Sequence, residues 1–185
     1  SNESSSNVII GMDTKLKIEK LFSDQLSSWE LAKNNYTALS RVKVKELDVN
    51  GTHYKVQFNP ARIVSSAAKV DTKSIQERKC FLCPANLPAV QRGLPFKENY
   101  QILVNPFPIF PKHLTVPALE HVDQRIKNRF GDMLDLATYA QDYVVFYNGP
   151  KCAEHPPPTM YTSRQETKVF SLLNKSGKTR RPAKL

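Results

Sequence analysis

Cys80 and Cys83, with only Phe81 and Leu82 between them, have the spacing of half a zinc site. Two thiolates at that interval can reach one tetrahedral ion from a single turn, and the remaining ligands must come from elsewhere in the chain. Of the histidines, His113 and His121 lie in regular-looking context besides His53. A set of Cys80, Cys83 and His113 would be one ligand short of four. The same pair also reads as two reduced, half-buried thiols. A redox pair fits less well, because the motif does not follow a strand and open a helix. Farther upstream, Asn59-Pro60-Ala61-Arg62 is followed by Ser65, Ser66 and Lys69. An arginine at a strand end beside such a loop can hold phosphate through its planar fork. By residue type alone the segment reads equally as a solvated loop. Two further segments complete the set: N-P-F-P-I-F-P-K-H-L-T-V-P-A-L-E-H over Asn105 to His121, and N-G-P-K-C over Asn148 to Cys152.

The elements that must position these residues follow from periodicity. Thr14 to Lys33 reads as an amphipathic helix, with Leu16, Leu21, Phe22, Leu26 and Trp29 near helical spacing. Arg41 to Val49 alternates, Asn50-Gly51 supplies a tight turn, and His53 to Phe58 returns, which is a hairpin signature. Asn59 to Lys79 is polar and loop-like. Ile102 to Val104 and His113 to Val116 are short strands, separated by a stretch that Pro106, Pro108 and Pro111 keep irregular. Val122 to Gln141 predicts a second helix with Ile126, Phe130, Met133, Leu134 and Ala137 on one face. Tyr143 to Tyr147 predicts a strand, ended by Asn148-Gly149-Pro150. Helix, hairpin, strands, helix, strand is the order of an α+β domain rather than a doubly wound one.

Composition bounds the function classes. The 185 residues suit one domain with a real core, and no apolar run is long enough to cross a membrane. Three cysteines are too few for a disulfide framework, so the expected setting is reducing and cytoplasmic. Lys151 to Leu185 holds eight Lys/Arg and two Glu, so +6 of the formal +10 belongs to this stretch. The rest is only mildly basic, which makes nucleic acid an unexpected partner for the globular part. Residues 1–13 are expected to be a disordered leader, 14–152 the domain, and 153–185 a basic tail. After Pro156-Pro157-Pro158 this tail lacks clear periodicity and reads as disordered.

From about Leu16 to Cys152 the chain resembles the larger form of the histidine-triad superfamily. That form includes galactose-1-phosphate uridylyltransferase, diadenosine tetraphosphate phosphorylase and the GDP-hexose phosphorylases. C-F-L-C-P-A-N-L-P is similar to the zinc-binding segment of the uridylyltransferases, and F-P-K-H-L-T-V-P to the strand in which a histidine precedes a hydrophobic pair and proline. Y-N-G-P-K-C resembles the strand and turn that lead into the catalytic strand. The resemblance implies an antiparallel sheet with packed helices and zinc at Cys80, Cys83 and His113. It implies a nucleotide or nucleotide-sugar partner held by Asn59, Arg62, Asn148, Gly149 and Lys151. The implied activity is nucleotidyl transfer or phosphorolysis through a nucleotidyl-histidine, which needs an exposed imidazole held in one tautomer. In such proteins the next segment supplies H-x-H. This chain has none, and His155 stands alone before three prolines. No catalytic residue is therefore assigned, and the sheet is expected to lack its catalytic strand.

The tail is compatible with a shifted reading frame. Pairing the third base of each codon after Cys152 with the first two of the next permits G-A-S-A-P-D-H-V-H-F-Q-A-G-N-K-G-F-L-P. Met160-Tyr161 forces the valine of this peptide. This is an H-x-H segment directly after N-G-P-K-C, so residues 153–185 are read as out of frame and the chain as catalytically incomplete. Two other classes remain: a nucleotide-binding module without chemistry, and a zinc-stabilised interaction protein with a basic RNA-binding tail.

Overall fold

The computed structural model describes residues 3–60, 80–122, 125–147 and 168–174, with the side chains of the first helix described from residue 13 onward. Helix α1 (Glu3–Ser28) and helix α2 (Glu30–Leu39) are separated only by Trp29, whose extended backbone (φ −117°, ψ 98°) breaks the run. The helical backbone thus starts at Glu3, ahead of the Thr14 that the sequence marks, and covers most of the expected leader. Its buried stripe is Thr14, Ile18, Leu21, Phe22 and Gln25, a 3–4 residue spacing, and Trp29 at the break is buried too. Leu16, assigned to this stripe from sequence, is 66% exposed because Ile18 takes the inward position.

Strands β1 (Lys43–Val49) and β2 (Thr52–Phe58) pair antiparallel from Val49↔Thr52 to Lys43↔Phe58. Asn50 and Gly51 both have positive φ (51° and 78°), the geometry of a two-residue turn of the primed type. This hairpin is a sheet of its own. A second sheet has the order β3-β4-β5-β7-β6. Its members are β3 (Gly93–Phe96), β4 (Tyr100–Val104), β5 (His113–Pro117), β6 (Tyr143–Phe146) and β7 (Lys168–Asn174), and every pairing is antiparallel. Helix α3 (Phe130–Tyr139) precedes β6. It is shorter than the sequence predicts, and its inward side carries Met133 and Leu136, with buried Ala140 just past its end, while Phe130 and Leu134 are exposed.

The core lies between one face of this sheet and the helices. Ile18, Leu21 and Phe22 of α1 meet Phe96, Ile102, Val104, Leu114, Val116, Phe170 and Leu172 of the strands and Leu136 of α3. Gln25, wholly buried, ties α1 to the segment before β3: its amide donates to Val90 O (2.9 Å) and its oxygen accepts from Arg92 N (3.0 Å).

The arrangement is α+β, as expected. Part of the stretch read as a tail, residues 168–174, forms a strand of this sheet. β7, drawn from the tail read as disordered, pairs with both neighbours, His113↔Leu173 on one side and Val144↔Leu173 on the other. The physical reason is its composition: K-V-F-S-L-L-N carries Phe170 and Leu172 at alternate positions, and both are fully buried. The sheet edge beyond β7 is β6. Among the described residues no helix is long and apolar enough to cross a membrane.

Candidate metal centre and nucleotide face

Strand alternation gives the five-stranded sheet a second face. Leu103 pairs with Thr115, so Leu103, His113 and Thr115 point away from the core residues Ile102, Val104, Leu114 and Val116. The C-x-x-C segment covers this face. Cys80 and Leu82 pack on Leu103, with Cys83 and Leu87 beside them. A tight turn places the two cysteines together: Cys83 N donates to Cys80 O (3.3 Å), Asn86 N to Cys83 O (2.8 Å), and the Asn86 side-chain amide to Cys80 O (2.8 Å). Pro84 opens the short 3-10 turn Pro84–Asn86, where its missing N–H costs nothing.

The third donor is His121. Beyond β5, Ala118 bridges to Tyr100 and Leu119 N donates to Asn99 O (2.8 Å), which directs the chain back across the sheet end. His121 Nδ1 then lies 3.2 Å from Cys83 Sγ. One ligand atom from each of Cys80, Cys83 and His121 falls within 4.8 Å of the others. This group is placed to hold a metal ion. Two soft sulfurs and an imidazole are the donors that zinc and other thiophilic metals accept.

His113, named as the third ligand from sequence, is not in the group. It sits at the far end of β5 from Pro117, where the chain leaves for His121, and four strand steps are about 13 Å. Its backbone is fixed there: its carbonyl accepts from Asn105 N (2.9 Å) and from Tyr36 OH (3.0 Å), and its N–H donates to Tyr36 OH (3.4 Å). Burial pushes the Tyr36 phenol well above its ordinary range, so it stays protonated as the donor of this clasp. The sequence signal for His121 was present, since it ends the same motif, but the return of the chain past Ala118 is not written in residue spacing.

Asn59 is half-buried beside the irregular segment between β4 and β5. Its Nδ2 lies 3.5 Å from Pro108 O, and its Oδ1 is buried and accepts no hydrogen bond from the described residues. That segment is shaped by Asn105, whose Oδ1 accepts from Phe107 N (2.9 Å) and whose Nδ2 donates to Thr115 Oγ1 (3.0 Å). Asn35 Nδ2 adds a bond to Pro106 O (2.8 Å). Arg62, Asn148, Gly149 and Lys151 lie outside the described residues.

An antiparallel sheet with helices on one face and a Cys-x-x-Cys and histidine group on the other defines an α+β protein with a candidate metal centre. The chain belongs to the family described as a domain of unknown function (DUF4922), whose model matches residues 21–164. No curated protein matches it. Among solved structures it is similar to yeast Ap4A phosphorylase Apa2 in complex with Ap4A. The two share 22% identity and a TM-score of 0.52, over 90% of this chain and 52% of that one. The same yeast enzyme with AMP gives 22% identity and a TM-score of 0.49 over 89% of this chain and 50% of that one. The likeness to the Ap4A complex shows a shared fold, and the chain spans about half the length of that enzyme.

Proposed function

We propose that this chain is a nucleotide-binding relative of the nucleotidyl-transferring phosphorylases that carries zinc at Cys80, Cys83 and His121 and forms no nucleotidyl-histidine. The observation that carries the binding half is the buried, unsatisfied acceptor Asn59 Oδ1, beside the irregular segment between β4 and β5. A buried acceptor without a donor costs about 1–3 kcal/mol, and a ribose hydroxyl or nucleobase N–H would satisfy it. The fold shared with an enzyme solved with Ap4A supports the same class of ligand, a nucleotide or nucleotide-sugar. Arg62 and Lys151 would supply cations to the phosphates, and Asn148 with the Gly149 backbone would supply neutral donors. Zinc bound by the two thiolates and His121 would pin the C-x-x-C turn to the segment that follows β5. The small number of cysteines suits a reducing, cytoplasmic setting.

The inactive half rests on the sequence after Cys152, which contains no H-x-H, and β7, which pairs with β5 and β6, contains no histidine either. Attack on phosphorus needs an aligned nucleophile at near-contact distance. The proposal retains the out-of-frame origin of residues 153–185. The family match runs past Cys152 to residue 164, so its end does not mark the proposed shift. The gene's nucleotide sequence around the codon for Cys152 tests that part directly.

Thermal unfolding with Ap4A, AMP and a GDP-hexose tests the binding half. Ligand at a hundred times its Kd should add about 2.7 kcal/mol, and Asn59→Ala should reduce the gain. No stabilisation by any of the three would reject it. No nucleotidyl-protein adduct should form from the same ligands. An adduct that disappears in His113→Ala or His155→Ala would overturn the inactive half.

A further inference from the structure

Resting on the metal-site reading above, we infer that Cys80 and Cys83 form a peroxide-oxidisable dithiol whose disulfide state takes both sulfurs away from the metal. The two sulfurs belong to one cluster of donor atoms within 4.8 Å of each other, and the turn bond from Cys83 N to Cys80 O holds the two backbones close. A disulfide needs the sulfurs at about 2.05 Å, and side-chain rotation within the turn moves the two sulfurs relative to each other.

Burial divides the roles. Cys83 is half-buried and open to a small oxidant, while Cys80 is 8% exposed. His121, exposed, has Nδ1 3.2 Å from the Cys83 sulfur. An accessible sulfur paired with a covered one is the layout of an attacking and a resolving cysteine. Cys80 packs with Leu82 on Leu103, which is 1% exposed within the sheet. The resolving sulfur is therefore held in place by the fold, and β4 need not move for the second step.

The chemistry balances with a hydroperoxide as oxidant. The Cys83 sulfur attacks one peroxide oxygen and the O–O bond breaks. The other oxygen leaves as an alcohol, or as water from hydrogen peroxide, with the thiol proton, and Cys83 becomes a sulfenic acid. The Cys80 sulfur then attacks the Cys83 sulfur. The S–O bond breaks, and its oxygen departs as water with the Cys80 proton. Two thiols and one hydroperoxide give one disulfide, one alcohol and one water, and two electrons pass from sulfur to peroxide. Of the three donors only His121 remains, so the disulfide form cannot hold the ion as the dithiol form does.

The test uses the reduced full chain and a stoichiometric amount of hydrogen peroxide, read by alkylation and mass spectrometry. Two of the three thiols should vanish together with a mass loss of about 2 Da, and peptide mapping should join Cys80 to Cys83. In Cys80→Ser the sulfenic acid at Cys83 should persist and be captured by dimedone, while in Cys83→Ser the Cys80 thiol should survive the same dose. Progress of Cys83 to sulfinic acid without a disulfide would overturn the inference, as would loss of the Cys80 thiol in Cys83→Ser. Zinc is titrated separately into the reduced chain against a chromophoric chelator. A chain that closes the disulfide but binds no zinc keeps the dithiol and removes the metal reading. A chain that binds zinc but never closes the disulfide keeps the metal reading and removes the dithiol.

Discussion

On one face of the five-stranded sheet Ile102, Val104, Leu114, Val116, Phe170 and Leu172 are sealed against the helices, each with no exposed surface. On the other face His113 and Thr115 are almost as deeply covered, at 4% each, but the cover is irregular chain. The C-x-x-C turn packs beside Leu103, and the Asn105 to Lys112 segment is held by hydrogen bonds from Asn35, Asn59 and Asn105. Apolar burial is roughly additive in area and indifferent to exact partners. Polar cover works only where each donor meets its acceptor, because a missed bond leaves a desolvated group behind. The first face should therefore govern whether the chain folds, and the second what it binds.

The sharpest way to break this comparison is Leu114→Ala. It removes fully buried side-chain volume from the centre of the core face and should cost about 2–5 kcal/mol in urea unfolding. A cost below about 1 kcal/mol would show that the core face is not what holds the chain. Gly93→Ala is next. An added Cβ would lie 2.8 Å from Leu103 Cδ2, 3.1 Å from Gln101 Oε1 and 3.2 Å from Ile102 O. Leu103 is itself packed against Cys80 and Leu82 and cannot retreat freely. Overpacking of this kind costs about 1–3 kcal/mol, and the strain should pass to the C-x-x-C turn as weaker zinc binding. Unchanged zinc affinity in Gly93→Ala would show the turn to be independent of β4.

His121→Ala sharpens the comparison from the other side. The residue is exposed and makes no part of the core. Its removal should leave the unfolding midpoint of the metal-free chain nearly unchanged while weakening zinc by at least about tenfold. His113→Ala should do the reverse, disturbing the buried start of β5 without removing a ligand. Equal losses of zinc affinity in the two variants would reinstate the ligand set expected from sequence.

How much of this was legible in the chain follows the same division. The hairpin was legible because Asn50-Gly51 dictates its turn and alternation dictates its strands, and β4, β5 and β6 were legible as short apolar runs. β3 was not, because Gly93-Leu94-Pro95-Phe96 has two residues that strands disfavour, tolerated here at a sheet edge. β7 was hidden in a basic tail whose composition masks one alternating stretch. Gln25 was passed over because a glutamine on a helix reads as solvated, and only the fold reveals the backbone groups of Val90 and Arg92 that it satisfies. Cys80 and Cys83 were legible as a pair by spacing. His121 was not distinguishable from His113, since both lie in one motif and only the path of the chain after β5 separates them.

The smallest expected effect lies far from either site, where α3 is fastened to the β3–β4 turn. Lys97 bridges Asp132 (2.6 Å) and Asp135, and Tyr100 OH donates to the other Asp132 oxygen (2.5 Å). Arg129 donates to Tyr100 OH (2.8 Å). The Lys97 ammonium, followed by the Tyr100 hydroxyl, holds the Asp132 carboxyl below its ordinary range, and desolvation offsets this only in part. A carboxyl whose folded pKa lies below its unfolded value binds fewer protons in the folded state. Its contribution to stability is complete above the unfolded value and is lost as pH falls through the folded one. Asp132→Asn should therefore lower stability at neutral pH by a small amount, because the pair is water-accessible, and should flatten the decline of stability between about pH 5 and pH 2. Parallel pH profiles for the parent and Asp132→Asn in this window, measured by urea unfolding, would show that the carboxyl titrates alike in both states and that apolar packing alone holds α3.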